Sequence, residues 1–234
     1  SVNNGWGVNE WSQADLKEYL NTRYYGGTSV TCYVDSNNST TTCPTGSLNS
    51  TSKSMINNYT WNTGAINDED TTIVNPETLA VNTVPFYNAE RGSVNGKICT
   101  SGNQCNDAVT RTITWRGYVA LPYVTDWAYA SSETACATNM NDGFDVANHN
   151  YDNMTCKKNN WMHHGSTMDE KMWMLSPYAR SSFACGVWSV SGDGSVYGVS
   201  ASYALSVFPS VYLNTEVKIT SGSGTSSDPY ILEL

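Results

Sequence analysis

Seven cysteines limit the folds open to this chain more than any other feature of its sequence. Six of them form three couples that lie close together along the chain: Cys32 with Cys43, Cys99 with Cys105, and Cys136 with Cys156. The seventh is Cys185. The sequence alone leaves the connectivity open, but locality favours these three couples as disulfides. Each such crosslink stabilises a fold by about 2 to 3 kcal/mol.

The alternative to disulfides is a set of reduced thiols or a metal site. The chain contains no Cys-x-x-Cys motif, and the adjacent His163 and His164 cannot easily face one ion together. We therefore predict disulfides, with no metal and no cofactor. Because disulfides persist in oxidising compartments, we expect an extracellular protein.

Composition narrows the classes of partner. The chain has 234 residues, 39% of them hydrophobic, which is enough for a packed core. Only 14% are charged, and the net charge is −9. Nucleic-acid binding depends on clustered Lys and Arg, so we expect no nucleic-acid partner. No linker-like stretch divides the chain, which favours a single ligand-binding domain over residues 1–234.

The sequence shows no apolar run of the roughly 20 residues needed to span a bilayer. It begins at Ser1, without a Met or a recognisable leader. We expect any membrane anchor to lie outside these residues.

Apolar periodicity predicts an α+β fold with two helices, a short-stranded antiparallel sheet and long loops. The first helix is predicted from a cap at Ser12, with Asp15 in a capping-box position, to Gly26-Gly27. A weaker helix is predicted over 50–58. The residues Asp68-Glu69-Asp70 are expected to form a solvated turn rather than a calcium site, since EF-hand spacing is missing.

The second half is predicted to be richer in strands. Alternating residues from Thr110 predict a strand, and a short helix capped at Thr125 or Asp126 should follow. Residues 131–160 are expected to be a surface loop. We predict an antiparallel sheet from four strand segments, 173–177, 187–190, 195–199 and 207–213, with a Gly-Asp-Gly hairpin turn at 192–194. A flexible loop over 222–230 and a closing strand at 231–232 are predicted to follow.

Motifs for catalysis are missing from the sequence. It contains no GxSxG, no HExxH and no glycine-rich phosphate or cofactor loop. The only imidazoles are His149, His163 and His164. Cys185 is interpreted as a small buried or incidental residue rather than a nucleophile, because only Arg180 supplies a nearby positive charge. We predict that the protein is not an enzyme.

Tyrosine is abundant, with 15 Tyr and 8 Trp but only 4 Phe. Tyr178, Tyr197 and Tyr203 lie among Ser, Gly and Ala residues. Binding loops of antibodies use this mixture because Tyr offers a large contact area with few rotors. An ordinary Tyr- and Ser-rich sheet surface explains the composition equally well.

The C-terminal sequence resembles a pattern found in proteins exported by Firmicutes and Mollicutes. It is carried by Trp173-Met174-Leu175-Ser176-Pro177, by Val187-Trp188-Ser189-Val190 with Gly194, and by the segment from Val207 to Leu213. Proteins of this kind resemble prepilin-type or otherwise surface-anchored proteins that end in a C-type-lectin-like domain of the formylglycine-generating-enzyme type. The resemblance therefore implies a C-type-lectin-like fold and an association with the cell surface. Some are the variable proteins of diversity-generating retroelements, in which mutagenesis rewrites codons on one ligand-binding face.

The resemblance implies two kinds of residue within 173–213. The implied scaffold positions are Trp173, Leu175, Pro177, Val187, Val190, Gly194, Phe208, Pro209, Tyr212 and Leu213. Of these, Trp173, Pro177, Val187, Phe208 and Leu213 should be buried. The implied variable, ligand-contacting positions are Tyr178, Ala179, Arg180, Phe183, Ala184, Tyr197, Ser200, Ala201, Tyr203, Ala204 and Leu205. Of these, Tyr178, Arg180, Tyr197 and Tyr203 should be exposed.

The chain departs from the family pattern in several places. Ser206 stands where a Gly is usual, and Phe208 where an Arg is usual. The catalytic cysteines of the formylglycine-generating enzyme and the calcium motifs of sugar-binding lectins have no counterpart in this sequence. The resemblance in fold therefore implies neither that catalysis nor calcium-dependent sugar binding. The expected function is an adhesin domain that binds a protein or glycan ligand. The alternative is a structural, pilin-like surface subunit.

Overall fold

A computed structural model describes residues 9–33, 39–78, 80–92, 112–141, 153–163, 171–179, 185–225 and 227–234. Within these ranges no helix is long and apolar enough to cross a membrane. The predicted couple Cys99–Cys105 and the predicted contact residues Arg180, Phe183 and Ala184 lie outside the described residues.

The described residues form a mixed α+β structure of short elements. A 3₁₀ turn at Trp11–Gln13 precedes the first helix, which continues in π-helical form over Tyr19–Tyr25. The helices are α1 Asp15–Glu18, α2 Ser50–Ser54, α3 Thr83–Glu90, α4 Val124–Tyr129, α5 Thr134–Thr138 and α6 Asn153–Lys158. The strands are β1 Cys32–Tyr33, β2 Thr40–Thr41, β3 Tyr59–Asn62, β4 Ile66–Asn67, β5 Ala80–Asn82, β6 Thr114–Gly117, β7 Val119–Ala120, β8 Asn139–Asn141, β9 Met172–Ala179, β10 Gly186–Val190, β11 Val196–Ser200, β12 Ser210–Val211, β13 Lys218–Ser221 and β14 Ile231–Glu233.

The largest sheet has four strands in the order β11-β10-β9-β4. Strands β9, β10 and β11 are antiparallel neighbours, whereas β4 joins β9 in parallel, with Ile66 opposite Tyr178. The predicted hairpin turn is confirmed: Gly194 has a φ of 89°, and the Ser195 amide donates to the Asp193 carboxylate at 2.9 Å.

Strand β9 is buried along all eight residues and therefore supplies both faces of the sheet. Met172, Met174 and Tyr178 point into one hydrophobic core, and Trp173 and Leu175 point into another. Side chains of a strand alternate between faces, so this one strand separates the two cores.

The first core packs helices α3 and α4 against the sheet. It includes Phe86, Trp127, Trp188 and Val190, and the Phe86 and Trp188 rings meet edge to face at 4.9 Å. The second core packs the N-terminal helix and strands β3, β6 and β7 against the other face, through residues such as Leu20 and Trp61. Full burial of one such side chain contributes about 1.5 to 3 kcal/mol.

Glu90, at the end of α3, is a fully buried carboxylate that links α3 to α4 and β9. It accepts hydrogen bonds from the amides of Val124 and Thr125 at 2.8 and 3.2 Å, from the Thr125 hydroxyl at 2.6 Å and from the Ser176 hydroxyl at 2.9 Å. The first turn of α4 is thereby capped by a side chain from another helix. Desolvation raises the pKa of Glu90 to about 7, although these donors favour the ionised form.

Several helix predictions need correction. The first helix is capped by Ala14 without a side-chain bond, because the Ser12 hydroxyl instead donates to Glu10 inside the 3₁₀ turn. The second helix ends at Ser54, and Asn49 caps it. Residues 131–160 are not simply a surface loop: α5, β8 and α6 lie there, and Met140 is buried in the first core. The described residues therefore contain more helices than the two of the predicted fold and the short helix predicted near Thr125, which begins at Val124 and is capped by Tyr123.

The predicted pairing of two strands is also wrong. Strand β12 pairs with β7, not with the C-terminal sheet, with Ser210 opposite Ala120. The closing strand β14 pairs with β13 in a separate two-stranded ribbon. Sequence alternation identifies a strand but not its neighbour, because the pairing is decided by chain segments far away.

Disulfides join Cys32 to Cys43 and Cys136 to Cys156, which confirms two of the three predicted couples. These crosslinks indicate an oxidising, non-cytoplasmic environment.

We expect Glu90 to make the free energy of unfolding depend on pH. Its pKa is about 7 in the folded state against an ordinary 4.5, so the folded state binds the proton more tightly. Its stabilising contribution is complete below about pH 4.5 and is lost as the pH rises to about 7, an effect of about 3 kcal/mol. Urea unfolding at several pH values measures this change in the free energy of unfolding.

The matched variants for this prediction are Glu90→Gln, which cannot titrate, and Glu77→Gln, which changes an exposed carboxylate. The native protein and Glu77→Gln should lose stability between about pH 5 and pH 8 by the same amount, and Glu90→Gln by clearly less. Parallel curves for all three proteins would contradict the assignment.

Candidate functional site

An open groove of about 640 Å³ lies against the second core. Its floor is formed by core residues of the sheet, including Trp173, Leu175 and Val187. A groove of this volume is in the range of ligand pockets, which are mostly apolar with a few polar groups.

One wall of the groove is the N-terminal helical segment. Trp11, Leu16, Tyr19 and Tyr24 line it. The segment is held in place by Asn21, whose side-chain amide donates to the Val119 carbonyl at 2.8 Å while its oxygen accepts from the Val119 amide at 3.1 Å. The π-helical turn over Tyr19–Tyr25 lies within this wall, and such turns are frequent at functional sites.

A second wall is the loop over residues 201–209. Backbone hydrogen bonds hold it at two points beside the sheet: the Ala201 amide donates to Cys185, just before β10, at 3.0 Å, and the Ser206 amide donates to Lys171, just before β9, at 2.9 Å. Ser206 also accepts from the Trp173 amide at 3.1 Å. Between these anchors, Ala201, Tyr203, Ala204 and Leu205 line the groove.

The rim is completed by the crosslinked ribbon β1–β2. Cys32, Tyr33, Thr41 and Pro44 line this part of the groove. The Cys32–Cys43 disulfide joins the two sides of the ribbon. Because a two-stranded ribbon is only marginally stable by itself, the disulfide stabilises the rim.

Glu10 places a buried negative charge at the groove. Its carboxylate accepts hydrogen bonds from Ser12 and Gln13. Burial would raise the pKa of Glu10, but hydrogen bonds from Ser12, Thr112 and Gln13 outweigh it and the pKa is lowered. The group is therefore ionised at neutral pH. Asp15 is a second acidic residue in the lining.

The structure divides the predicted contact residues into three groups. Ala201, Tyr203, Ala204 and Leu205 come together at the groove. Tyr197 is half-buried on β11, where its ring packs on the second core beneath the Lys171 ammonium at 4.6 Å. The buried residues are Tyr178, Ala179 and Ser200.

The prediction that Tyr178 is exposed is wrong, and Ala179 and Ser200, which the resemblance also implies as ligand contacts, are buried as well. Tyr178 is only 2% exposed: its hydroxyl donates to Asp68, and its ring meets Trp188 edge to face at 4.8 Å. Gly198 permits this packing, because a Cβ there would lie 2.4 Å from the Tyr178 ring. The physical reason is that β9 and β11 have neighbours on both faces of the sheet.

The predicted scaffold positions range from buried to exposed. Trp173, Leu175, Pro177 and Val190 are buried, while Val187, Phe208 and Tyr212 are half-buried. Leu213 is 42% exposed, which corrects the prediction that it is buried, and Pro209 is exposed as well. Both follow the point where the chain leaves the sheet to pair with β7.

Sequence interpretation missed the helical wall of the groove. Leu16 and Tyr19 have the helical spacing expected of core residues, and nothing in a linear pattern distinguishes a core residue from one that lines an opening into the core. The signal that could have found the groove is the excess of large aromatics in this segment, which includes Trp11, Tyr19 and Tyr24.

Cys185 is half-buried, and it is the one described cysteine outside a disulfide. Burial raises the pKa of its thiol, with hydrogen bonding from Ser200 opposing the shift. Because the thiolate is the reactive form, this arrangement disfavours a nucleophilic role and agrees with the interpretation of Cys185 as a small packed residue.

Comparison with known proteins returns no match: no protein-family model, no curated protein and no solved structure matches this chain. The resemblance described from the sequence therefore stays a prediction, and the site is interpreted from its own geometry.

The division between buried and exposed tyrosines can be measured directly. We expect Tyr178→Ala to reduce the free energy of unfolding by about 3 to 5 kcal/mol, since it leaves a cavity against Trp188. Tyr203 is 58% exposed, so Tyr203→Ala should change stability by no more than about 0.5 kcal/mol. Urea denaturation of both variants measures the difference, and similar losses would contradict the assignment.

Proposed function

We propose that the protein is an extracellular ligand-binding domain, an adhesin, rather than an enzyme. The observation that carries this proposal is the open apolar groove of about 640 Å³, one wall of which is the loop bearing Ala201, Tyr203, Ala204 and Leu205. Four residues that the sequence marks as ligand contacts thus line one concave surface.

The construction of the groove supports a binding role. Its floor belongs to the buried sheet, and the loop is hydrogen-bonded at two points beside that sheet. The loop between them exposes Tyr203 and Ala204. Binding residues in proteins are commonly carried on loops that a rigid scaffold positions.

The finer proposal is that the scaffold is a C-type-lectin-like fold and that the loop is diversified, as in variable proteins of diversity-generating retroelements. Its support is the separation of buried strand residues such as Trp173 from the exposed loop residue Tyr203. The exposed loop side chains Tyr203 and Ala204 could change without disturbing either core. Under this proposal, and among the described residues, the variable set contracts to the groove-lining residues of 201–205.

Binding at the groove is tested by filling it. Ala204→Trp places a large side chain at the groove, and Ala135→Trp makes the same change on the exposed surface of α5. The native protein and both variants are applied to a random peptide display library and a glycan array. We expect ligands that bind the native protein and Ala135→Trp equally, and Ala204→Trp about tenfold more weakly or worse.

The proposal is overturned if no peptide or glycan binds the native protein. It is equally overturned if every ligand binds Ala204→Trp as well as it binds Ala135→Trp. Circular dichroism of both variants checks that each is folded.

A second candidate function is a pilin-like structural subunit, which the C-terminal ribbon β13–β14 favours. The ribbon forms a sheet of its own and exposes Ile219, Tyr230, Ile231 and Leu234. Ribbons of two strands are marginally stable alone. In an assembly, a second copy of the chain would cover these apolar side chains.

The structural alternative predicts that the purified chain self-associates through the ribbon. Light scattering over a concentration series should show assembly that the double variant Ile219→Ser/Ile231→Ser abolishes and the matched Thr220→Ser does not. A native chain that stays monomeric at its highest soluble concentration contradicts the alternative.

A further inference from the structure

The rim that the ribbon β1–β2 forms is exposed to solvent along its described length. Every described residue of 28–33 and 39–47 is exposed or half-buried. The ribbon is short, with Cys32 opposite Thr41 in one of its two register pairs. Burial of apolar surface is the main stabilising contribution in a fold, and a two-stranded ribbon in water contributes little by itself. Packing against the rest of the protein therefore does not hold this rim in place.

Hydrogen bonds attach the two ends of the rim segment to the N-terminal helical segment. At the start of the rim, the Thr28 amide donates to the Thr22 carbonyl at 3.0 Å. At its end, the Leu48 amide donates to the Tyr24 carbonyl at 2.9 Å. The rim is thus a loop attached at its base, and the part that lines the groove lies between these two attachments.

The Cys32–Cys43 disulfide crosses this loop and joins the two sides of the ribbon. Cys32 itself lines the groove, as do Tyr33 and Thr41 beside it. A disulfide that closes a loop excludes the many conformations that the open loop would sample. Breaking this one bond should therefore free the rim between its two attachments while the sheet and both cores keep their packing.

The two described disulfides differ in their access to solvent. Cys136 is 4% exposed and Cys156 is 8% exposed, whereas Cys32 and Cys43 are half-buried on an otherwise exposed stretch of chain. Thiol exchange requires the attacking sulfur to reach a sulfur of the disulfide. A reductant can thus attack Cys32–Cys43 in the folded protein, while attack on Cys136–Cys156 requires local unfolding first.

We propose that the Cys32–Cys43 disulfide is a redox modification site that regulates the groove. Its reaction partner is a dithiol, which reduces the disulfide and thereby weakens ligand binding. This inference rests on the proposed function, since it describes the regulation of the same groove.

The reaction is a two-step thiol exchange. One thiolate of the dithiol attacks a sulfur of the Cys32–Cys43 bond and forms a mixed disulfide, and the electron pair of the broken bond leaves on the other cysteine, which takes up a proton. The second thiolate of the dithiol then attacks the mixed disulfide and releases the first cysteine, which is protonated in turn. The dithiol is oxidised to a disulfide, and its two electrons reduce Cys32 and Cys43 to thiols.

Release of the rim weakens binding for two reasons. Tyr33 and Pro44 line the groove only while the rim is held beside it, so a ligand loses their contact area when the rim is free. A ligand that recovers these contacts must order the freed loop again, and this loss of conformational entropy opposes binding. Oxidised protein should therefore bind groove ligands more tightly than reduced protein.

The first measurement identifies which disulfide a dithiol reduces. The folded native protein is incubated with increasing concentrations of dithiothreitol, free thiols are alkylated, and peptide mass spectrometry assigns the alkylated cysteines. We expect Cys32 and Cys43 to become alkylated at a dithiothreitol concentration about tenfold lower than that needed for Cys136 and Cys156.

The second measurement follows the groove itself. Its probe is N-phenyl-1-naphthylamine, an uncharged fluorophore whose emission increases in apolar surroundings. We expect the oxidised protein to bind the fluorophore about tenfold more tightly than the protein reduced at Cys32–Cys43, and reoxidation to restore binding. Ala204→Trp in the oxidised protein should also weaken binding, which locates the fluorophore in the groove.

Matched variants assign the effect to the rim. Cys32→Ser/Cys43→Ser removes this crosslink alone, whereas Cys185→Ser removes a thiol outside the described disulfides. The double variant should bind the fluorophore as weakly as the reduced native protein and should not respond to dithiothreitol. Cys185→Ser should respond as the native protein does. Circular dichroism checks that each variant is folded, and the reversible reduction of the native protein provides the test if the double variant is not.

The inference is overturned if Cys136–Cys156 is reduced as readily as Cys32–Cys43. It is equally overturned if fluorophore binding that Ala204→Trp weakens is absent from the oxidised protein or unchanged on reduction, or if the folded double variant still responds to dithiothreitol. Peptides or glycans that bind the groove equally well before and after reduction would support the proposed function and refute only its regulation. A rim that regulates fluorophore binding in a protein without peptide or glycan ligands would refute only the proposed function.

Discussion

Burial of strand β9 on both faces is the constraint on which the rest of the structure depends. Its residues alternate between two hydrophobic cores, with Met172 and Met174 in one and Trp173 and Leu175 in the other. Each core must be shielded from water: α3 and α4 pack over the first, and the N-terminal helix and β7 pack over the second. Glu90 adds a polar connection, because its carboxylate holds α4 and Ser176 of β9 together.

The groove is a consequence of how the second core is closed. The N-terminal helix and the loop over residues 201–209 both contact the same face of the sheet, and they leave an opening between them. A loop held at two points beside a rigid sheet can vary in side chain at low cost to the fold. The same opening leaves aromatic surface of the second core, including Trp173, in the lining of the groove.

Local features of the sequence were sufficient for much of the fold. The segment 173–177 and the Gly-Asp-Gly turn predicted β9 and the hairpin of β10 and β11, because each signal lies within a few residues. Proximity along the chain also predicted the Cys32–Cys43 and Cys136–Cys156 disulfides. In contrast, the parallel pairing of β4 with β9 and the pairing of β12 with β7 join distant segments, and no local pattern encodes them.

The sequence by itself indicated that cysteines of the chain pair as disulfides. It also determined the acidic net charge, the Tyr- and Trp-rich composition and the location of the main strands. Only the tertiary structure decided which tyrosines a ligand can reach. Tyr178 and Tyr203 have similar neighbours in the sequence, yet one is enclosed by Trp188 and Gly198 and the other is exposed at the groove. The physical reason is that exposure depends on what packs against a side chain from elsewhere in the chain, and β9 has neighbours on both faces whereas the loop has them on one.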